Sequence, residues 1–281
     1  MQLSDFQTTD GYFTIAPFDH RASLAEALKL DLQITTDSDT FLSLKQMFMR
    51  ILSPHVSAVL TDPEYGIKTL DEKDGRAGLF LSLEESGYSG DHDAVTKLKE
   101  QWGVPMIKLR NAGAKLLVYY NPKSSTAGEK LELVKRVYEE CRNEGVIFLL
   151  EPVMYPLLDT PLWLGEGDSD WVSTHLSVCQ EFAPYCDILK IQYPGNLDAC
   201  TKVTSFHKNW VLLSRGAAFE QFCTYLQTSV RGGSKGYAAG RAVWQEIEKL
   251  APDQWEEFLK TTAVKRLEEL TRILRSSRLV A

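Results

Sequence analysis

Val146-Ile147-Phe148-Leu149-Leu150-Glu151-Pro152 is a run of five apolar residues that ends on a carboxylate and a proline. A strand with one wet face alternates apolar and polar residues. An unbroken apolar run is the pattern of a strand buried on both faces, as in a parallel sheet sheathed by helices. Helix-period sequence flanks the run. Residues 127–144 precede it, with Leu131, Val134 and Val137 on one face, and residues 169–182 follow it.

The same unit recurs in both directions. Strand-like runs occupy residues 12–18, 58–61, 78–83, 114–120, 146–153, 188–192, 210–214 and 236–239. Helical patterns fall at 23–30, 39–52, 91–102, 127–144, 169–182, 198–208, 218–228, 241–250 and 253–277. Strands alternating with helices imply right-handed βαβ units and a parallel sheet. Eight such repeats predict a (β/α)₈ TIM barrel, an α/β fold closed by a C-terminal helix, with residues 1–281 forming a single domain. The alternative is an open doubly wound sheet, which usually carries a Gly-rich fingerprint after its first strand. Here the first strand runs into Phe18-Asp19-His20-Arg21, without those glycines.

Composition narrows the function. The 281 residues are 44% hydrophobic and 25% charged, which is ordinary for a globular protein long enough to bury a core unaided. Lys and Arg total 31 against 38 Asp and Glu, a net charge of −7. That excludes the broad basic field of non-specific nucleic-acid binding, so an anionic ligand needs a local positive cluster. Cys141, Cys179, Cys186, Cys200 and Cys223 are odd in number, lack C-x-x-C spacing and have no histidines at zinc-ligand spacing. A reduced, cytoplasmic setting is expected, with no metal. Residues 1–10 lack a secretory leader pattern, and no apolar stretch nears the ~18 residues of a membrane span.

Active sites of this architecture lie at the C-terminal ends of the strands. In Asp187-Ile188-Leu189-Lys190-Ile191-Gln192, Lys190 shares a face with Ile188 and Gln192 inside an apolar strand. Burial disfavours a charged ammonium, and a lysine so placed is suited to attack a carbonyl and form a Schiff base. An edge-strand lysine or a buried ion pair is the structural alternative. Glu151, at the end of its own strand, is a proton carrier or a partner for Lys190. Lys115 shares a face with Leu117 and Tyr119 and is either an oxyanion stabiliser or an interior charge. Asp19 ends the first strand, and Arg21 is an anion ligand or part of a helix cap. His55, His92, His175 and His207 are scattered and read as surface or core residues.

Loops after strands seven and eight form the recurrent phosphate site of such barrels. They read Leu213-Ser214-Arg215-Gly216 and Ala239-Gly240-Arg241-Ala242-Val243-Trp244. Small residues admit backbone N–H groups to an anion, and Ser214 and Arg241 add a hydroxyl and a guanidinium. Ser214 lacks the G-x-S-x-G context of a hydrolase nucleophile. Asp62, Glu64 and Asp74 match no metal motif, and Asp62-Pro63-Glu64 reads as a strand-end turn.

These segments, with Leu60-Thr61-Asp62-Pro63-Glu64-Tyr65-Gly66, Lys115-Leu116-Leu117-Val118-Tyr119-Tyr120, Leu150-Glu151-Pro152 and Leu189-Lys190-Ile191, occur in an order that resembles the class I aldolases of the tagatose-1,6-bisphosphate aldolase type, which include sulfofructose-phosphate aldolases. The resemblance implies a cofactor-free lyase in which Lys190 forms the Schiff base, Glu151 moves protons, and Lys115 and Asp19 assist. It places a phosphate on Ser214, the adjoining Gly216 backbone, Gly240 and Arg241. It also implies a phosphorylated ketose as substrate, dihydroxyacetone phosphate as one product, and a homo-oligomer. Three departures bear on the substrate. His20 stands where the family usually has Gln, Arg215 where a small residue is usual, and Gln192-Tyr193-Pro194 where the family is more acidic. Arg215 is thus a candidate for a second phosphate, a sulfonate or a carboxylate, and His20 for another substrate contact. Competing expectations are an isomerase or decarboxylase that uses Lys190 and Glu151 as acid and base only, and a non-catalytic sugar-phosphate-binding regulator.

Overall fold

The computed structural model describes residues 1–86, 91–156 and 169–277. In chain order its elements are β1 (Phe13–Pro17), α1 (Ala22–Ala27), α2 (Thr35–Leu52), β2 (Ala58–Thr61), β3 (Gly78–Ser82), α3 (Val104–Lys108), β4 (Gly113–Tyr120), α4 (Ala127–Glu144), β5 (Phe148–Met154), α5 (Ser169–Phe182), β6 (Ile188–Ile191), α6 (Leu197–Phe206), β7 (Trp210–Leu213), α7 (Phe219–Arg231), β8 (Gly236–Ala238), α8 (Arg241–Trp244), α9 (Trp255–Phe258) and α10 (Val264–Ser277). The eight strands close in chain order, every neighbour parallel, with Ile15 facing Ala58 on one side and Ala238 on the other. The fold is a (β/α)₈ barrel with a C-terminal helix, as the sequence predicts.

Strand parity sorts the core into two bodies. Residues of one parity, among them Val59, Leu116, Val118, Leu150, Leu189 and Leu212, pack outward against the helices. Those of the other parity, Phe13, Ile15, Leu60, Phe80, Leu149, Ile188, Val211 and Ala238, fill the barrel interior. A short 3₁₀ turn, Leu3–Phe6, closes the barrel floor by stacking the Phe6 ring on Phe80 at 4.2 Å between centroids. One step up the same parity, side chains turn polar: Lys115, Glu151 and Lys190 stand on this apolar floor.

Residues 91–102 depart from expectation. They form no helix; Glu84 and Leu98 make an antiparallel bridge, and the Lys99 N–H donates to Leu83 O. The apolar spacing of Val95, Leu98 and Trp102 suggests helix period. Trp102 instead reaches back to donate its Nε1–H to Ser82 O at 2.9 Å. Tertiary pairing at the end of β3 outweighs a weak local preference. At the C-terminus, residues 255–277 form a nearly continuous helix interrupted by a π turn at Leu259–Ala263. No described helix is long and apolar enough to cross a membrane.

Candidate active site

A cavity of about 400 Å³ opens at the C-terminal ends of the strands, within the size range of small-ligand sites. Its wall includes Asp19, Lys115, Glu151, Lys190, Ser214 and Arg241, brought together from six strands and the loops that follow them. β5 and β6 pair Leu149 with Ile188, so Glu151 and Lys190 rise side by side two residues further on. Their contact is a 2.8 Å hydrogen bond from Lys190 Nζ to Glu151 Oε2, with both side chains buried.

Lys115 Nζ lies 3.3 Å from that same Oε2 and donates to Asp19 Oδ2 at 2.8 Å. It also donates to Glu84 Oε1, whose second oxygen accepts the Leu117 N–H at 3.3 Å. Two amines and three carboxyl groups thus share one buried cluster, and Glu151 bridges the amines. Buried charges persist only when paired and hydrogen-bonded, and this network supplies both. Burial opposes ionisation of Asp19, but the positive charge of Lys115 and Lys190, joined by His20 at the low pH where that imidazole is protonated, outweighs it and holds the carboxyl far below the usual carboxylate range.

His20 stands above this cluster, its ring edge-on to Trp244 at 5.3 Å between centroids. Burial drives its pKa down to about 3 against the attraction of Asp19, helped by Arg241, Lys45 and Lys190. The neutral imidazole keeps one donor and one acceptor nitrogen. Arg21 lines the cavity yet is 5% exposed, and it donates to Glu64 Oε1 at 2.8 Å and to Glu84 O at 2.7 Å. Its guanidinium is therefore engaged by protein oxygens rather than presented to a ligand.

Across the cavity, the loops after β7 and β8 meet. Arg215 and Gly216 both take positive φ, 45° and 78°, which turns the chain sharply beneath the Arg241 guanidinium. A Cβ on Gly216 would lie 3.5 Å from Arg241 Cζ, so the glycine lets the two loops touch. At Gly240 a Cβ would fall 2.9 Å from Pro17 O, which closes β8 tightly on β1. Ser214 is buried beside them and Arg215 is exposed at the rim. Among the described residues neither Arg215 nor Arg241 has a carboxylate within 4.0 Å.

The structure thus brings the candidates from the sequence to the wall of one cavity, except Gly216, which lies behind the Arg241 guanidinium. It also adds two residues. Glu84 lies two residues beyond β3, whereas Glu151 sits within β5; the Glu84 signal is present in Leu81-Ser82-Leu83-Glu84 but masked by its polar neighbours. His92 stacks on Tyr119 at 3.9 Å on the cavity rim, held by the irregular segment that replaces the expected helix.

The fold and this cluster define a (β/α)₈-barrel enzyme with amine and carboxyl groups at its catalytic end. Residues 13–246 match the sequence model of the DeoC/LacD family aldolase, and the chain belongs to that family of carbon–carbon lyases. It is 24% identical over 310 aligned positions to a protein named tagatose 1,6-diphosphate aldolase from Staphylococcus haemolyticus, covering 98% of this chain and 95% of that one. It is 27% identical to tagatose 1,6-diphosphate aldolase 2 of Enterococcus faecalis, covering 97% and 92%. Among solved structures, an archaeal fructose 1,6-bisphosphate aldolase shares the fold with a TM-score of 0.65 at 15% identity, with 96% of each chain covered.

Proposed function

We propose that this aldolase cleaves a phosphorylated ketose of the tagatose 1,6-bisphosphate kind through a Schiff base on Lys190, giving dihydroxyacetone phosphate and an aldehyde such as glyceraldehyde 3-phosphate. The observation that carries this reading is the 2.8 Å contact of Lys190 Nζ with Glu151 Oε2 on the cavity floor, opposite a loop pair whose two guanidiniums have no carboxylate within 4.0 Å among the described residues. The names of the relatives supply the sugar.

Glu151 accepts the Lys190 proton, and the freed amine adds to the ketone carbon. The carbinolamine then loses water with proton transfer from the same carboxyl group. In the resulting iminium, loss of the C4 hydroxyl proton sends the C3–C4 bonding electrons to nitrogen, which releases the aldehyde and leaves an enamine. Protonation at C3 and hydrolysis release dihydroxyacetone phosphate and restore the amine. Glu151 and, through the cluster, Asp19 set carboxylates beside the developing iminium, an arrangement that favours the cation in a dry site, and Glu84 holds Lys115. Lys115 keeps those groups in place. Ser214, the Gly216 and Gly240 backbone and Arg241 hold the ketose-end phosphate, Arg215 meets the distal anionic group, and His20 contacts a substrate hydroxyl. Arg21 supports the β1 end against Glu64.

We take the whole chain to work as one cytoplasmic barrel domain in a homo-oligomer, without metal or cofactor. Borohydride reduction in the presence of a ketose bisphosphate tests the chemistry. The peptide carrying Lys190 gains the mass of the reduced sugar adduct, and chelators leave turnover unchanged. Absence of the adduct from an active enzyme rejects the Schiff base. A parallel panel with a sulfonated ketose phosphate reads whether Arg215 turns the distal end toward sulfonate.

A further inference from the structure

Lys45, on α2, is fully buried, an unusual state for a lysine. All three ammonium hydrogens are accounted for. They go to Phe18 O, to His20 O at 2.7 Å and to Asp62 Oδ2 at 2.9 Å. Asp62 is equally buried and spends its other oxygen on the N–H groups of Glu64 and Tyr65, at 2.9 and 2.7 Å. The pair is therefore saturated, the condition under which a buried ion pair is tolerated.

Its place explains its presence. β1 ends at Pro17, and beyond it the carbonyls of Phe18 and His20 have left the strand ladder. These two carbonyls bracket the Asp19–His20 dipeptide. With both fixed to one ammonium, the dipeptide can rotate little, and Asp19 is aimed at Lys115 Nζ, 2.8 Å away. Trp244 Nε1 adds a longer bond to Pro17 O, 3.3 Å, from the opposite side. An apolar side chain at position 45 would fill the space but would take this partner from a buried carbonyl, Phe18 O, and a partly buried one, His20 O.

We infer that Lys45 is a positioning residue for the cleavage reaction: through Phe18 O and His20 O it sets the β1 end so that Asp19 reaches Lys115 and His20 faces the substrate. It touches neither substrate nor the reacting amine. The inference rests on the Schiff-base reading above, and the test separates the two.

Removing Lys45 alone strands the Asp62 carboxylate and endangers folding, so the pair is changed together. In Lys45→Met/Asp62→Leu the ion pair becomes apolar, a replacement that folded proteins often accept. In Lys45→Gln/Asp62→Asn the charges go but donors to the two carbonyls remain. Both are compared with wild type for melting temperature, kcat, KM and the stoichiometry of borohydride trapping at Lys190 with a ketose bisphosphate. The expected result is a kcat lowered by roughly 10- to 100-fold in the Met/Leu variant, the scale of a small misplacement of a reacting group. Adduct stoichiometry per folded protein stays near wild type, and the Gln/Asn variant recovers most of kcat. Wild-type kcat in the Met/Leu variant, loss of adduct in proportion to kcat, or no difference between the two variants overturns the proposal. Absence of adduct in wild type itself rejects the Schiff base instead.

Discussion

His20 and His175 show how far a single residue can be read. Burial pushes both imidazoles down to about 3, and in His20 the cations Arg241, Lys45 and Lys190 add to it against the pull of Asp19. His175 lies on α5, and among the described residues neither of its ring nitrogens is hydrogen-bonded. In the unfolded chain a histidine titrates near pH ~6.5. Above that pH both states are neutral and neither histidine affects stability. Between about 6.5 and about 3 the unfolded chain binds more protons, so stability falls as pH falls, by at most ~1.4 kcal/mol per pH unit per histidine. Asp19 acts in the same direction lower down. Its depressed pKa gives stability that is present above ~3.8 and is lost as pH drops toward its folded value. Burial also lowers the pKa of His92 and His207, so they act in the same direction. Urea unfolding at pH 7, 6 and 5 is expected to show a falling midpoint, with His175→Phe making the slope shallower. An unchanged slope in His175→Phe would assign the pH dependence elsewhere. The sequence marks some site residues and hides others for a definite reason. Lys190 and Glu151 interrupt apolar runs and stand out. Lys45 sits in an amphipathic helix among Leu44, Gln46 and Met47, where a lysine is ordinary, and only the fold shows it facing two orphaned carbonyls.

Elements were legible where burial dictated their pattern. Several strand runs are nearly continuously apolar, since a strand covered on both faces has few places for a polar side chain, and the charges that do interrupt them belong to the site. Residues 91–102 were not legible, because the bridge to Glu84 and the Trp102 bond to Ser82 O are long-range facts with no local signature. Barrel closure is similarly long-range, and it depends on one glycine. Gly236 opens β8 with a φ of 152°, and a Cβ there would lie 1.8 Å from Phe13 O on β1. The clash is with backbone, so it cannot be relieved by turning a side chain. Gly236→Ala is expected to cost about 3 kcal/mol or more, combining overpacking with backbone strain. Gly128 is the control. It lies in the first turn of α4 with no atom within 4 Å of a built Cβ. Gly128→Ala is expected to stabilise by about 0.5 kcal/mol through helix preference. Urea midpoints of the two variants should move in opposite directions. Tolerance of alanine at 236 would show that β8 does not need this close approach to β1.

At the scale of the whole molecule, charge sets two effects against each other. The net charge of −7 repels an anionic sugar phosphate at long range. Inside the cavity the balance is different. Lys115 and Lys190 are neutralised by Asp19, Glu84 and Glu151, whereas Arg215 and Arg241 have no carboxylate within 4.0 Å among the described residues. Salt screens both effects, and the direction of its effect on kcat/KM shows which dominates. At ~0.1 M ionic strength the screening length is about 10 Å, comparable to the depth of a small-ligand cavity and shorter than the width of the protein. Repulsion from the outer surface is then already damped, and attraction by the two partly exposed guanidiniums is the larger remaining contribution. We therefore expect kcat/KM for a ketose bisphosphate to fall as potassium chloride rises from 50 to 500 mM, through KM and with kcat unchanged. In Arg215→Met the fall should be shallower and KM higher at low salt, while borohydride trapping at saturating substrate stays complete. A rise of kcat/KM with salt would show that the −7 surface, rather than the arginine pair, governs the encounter.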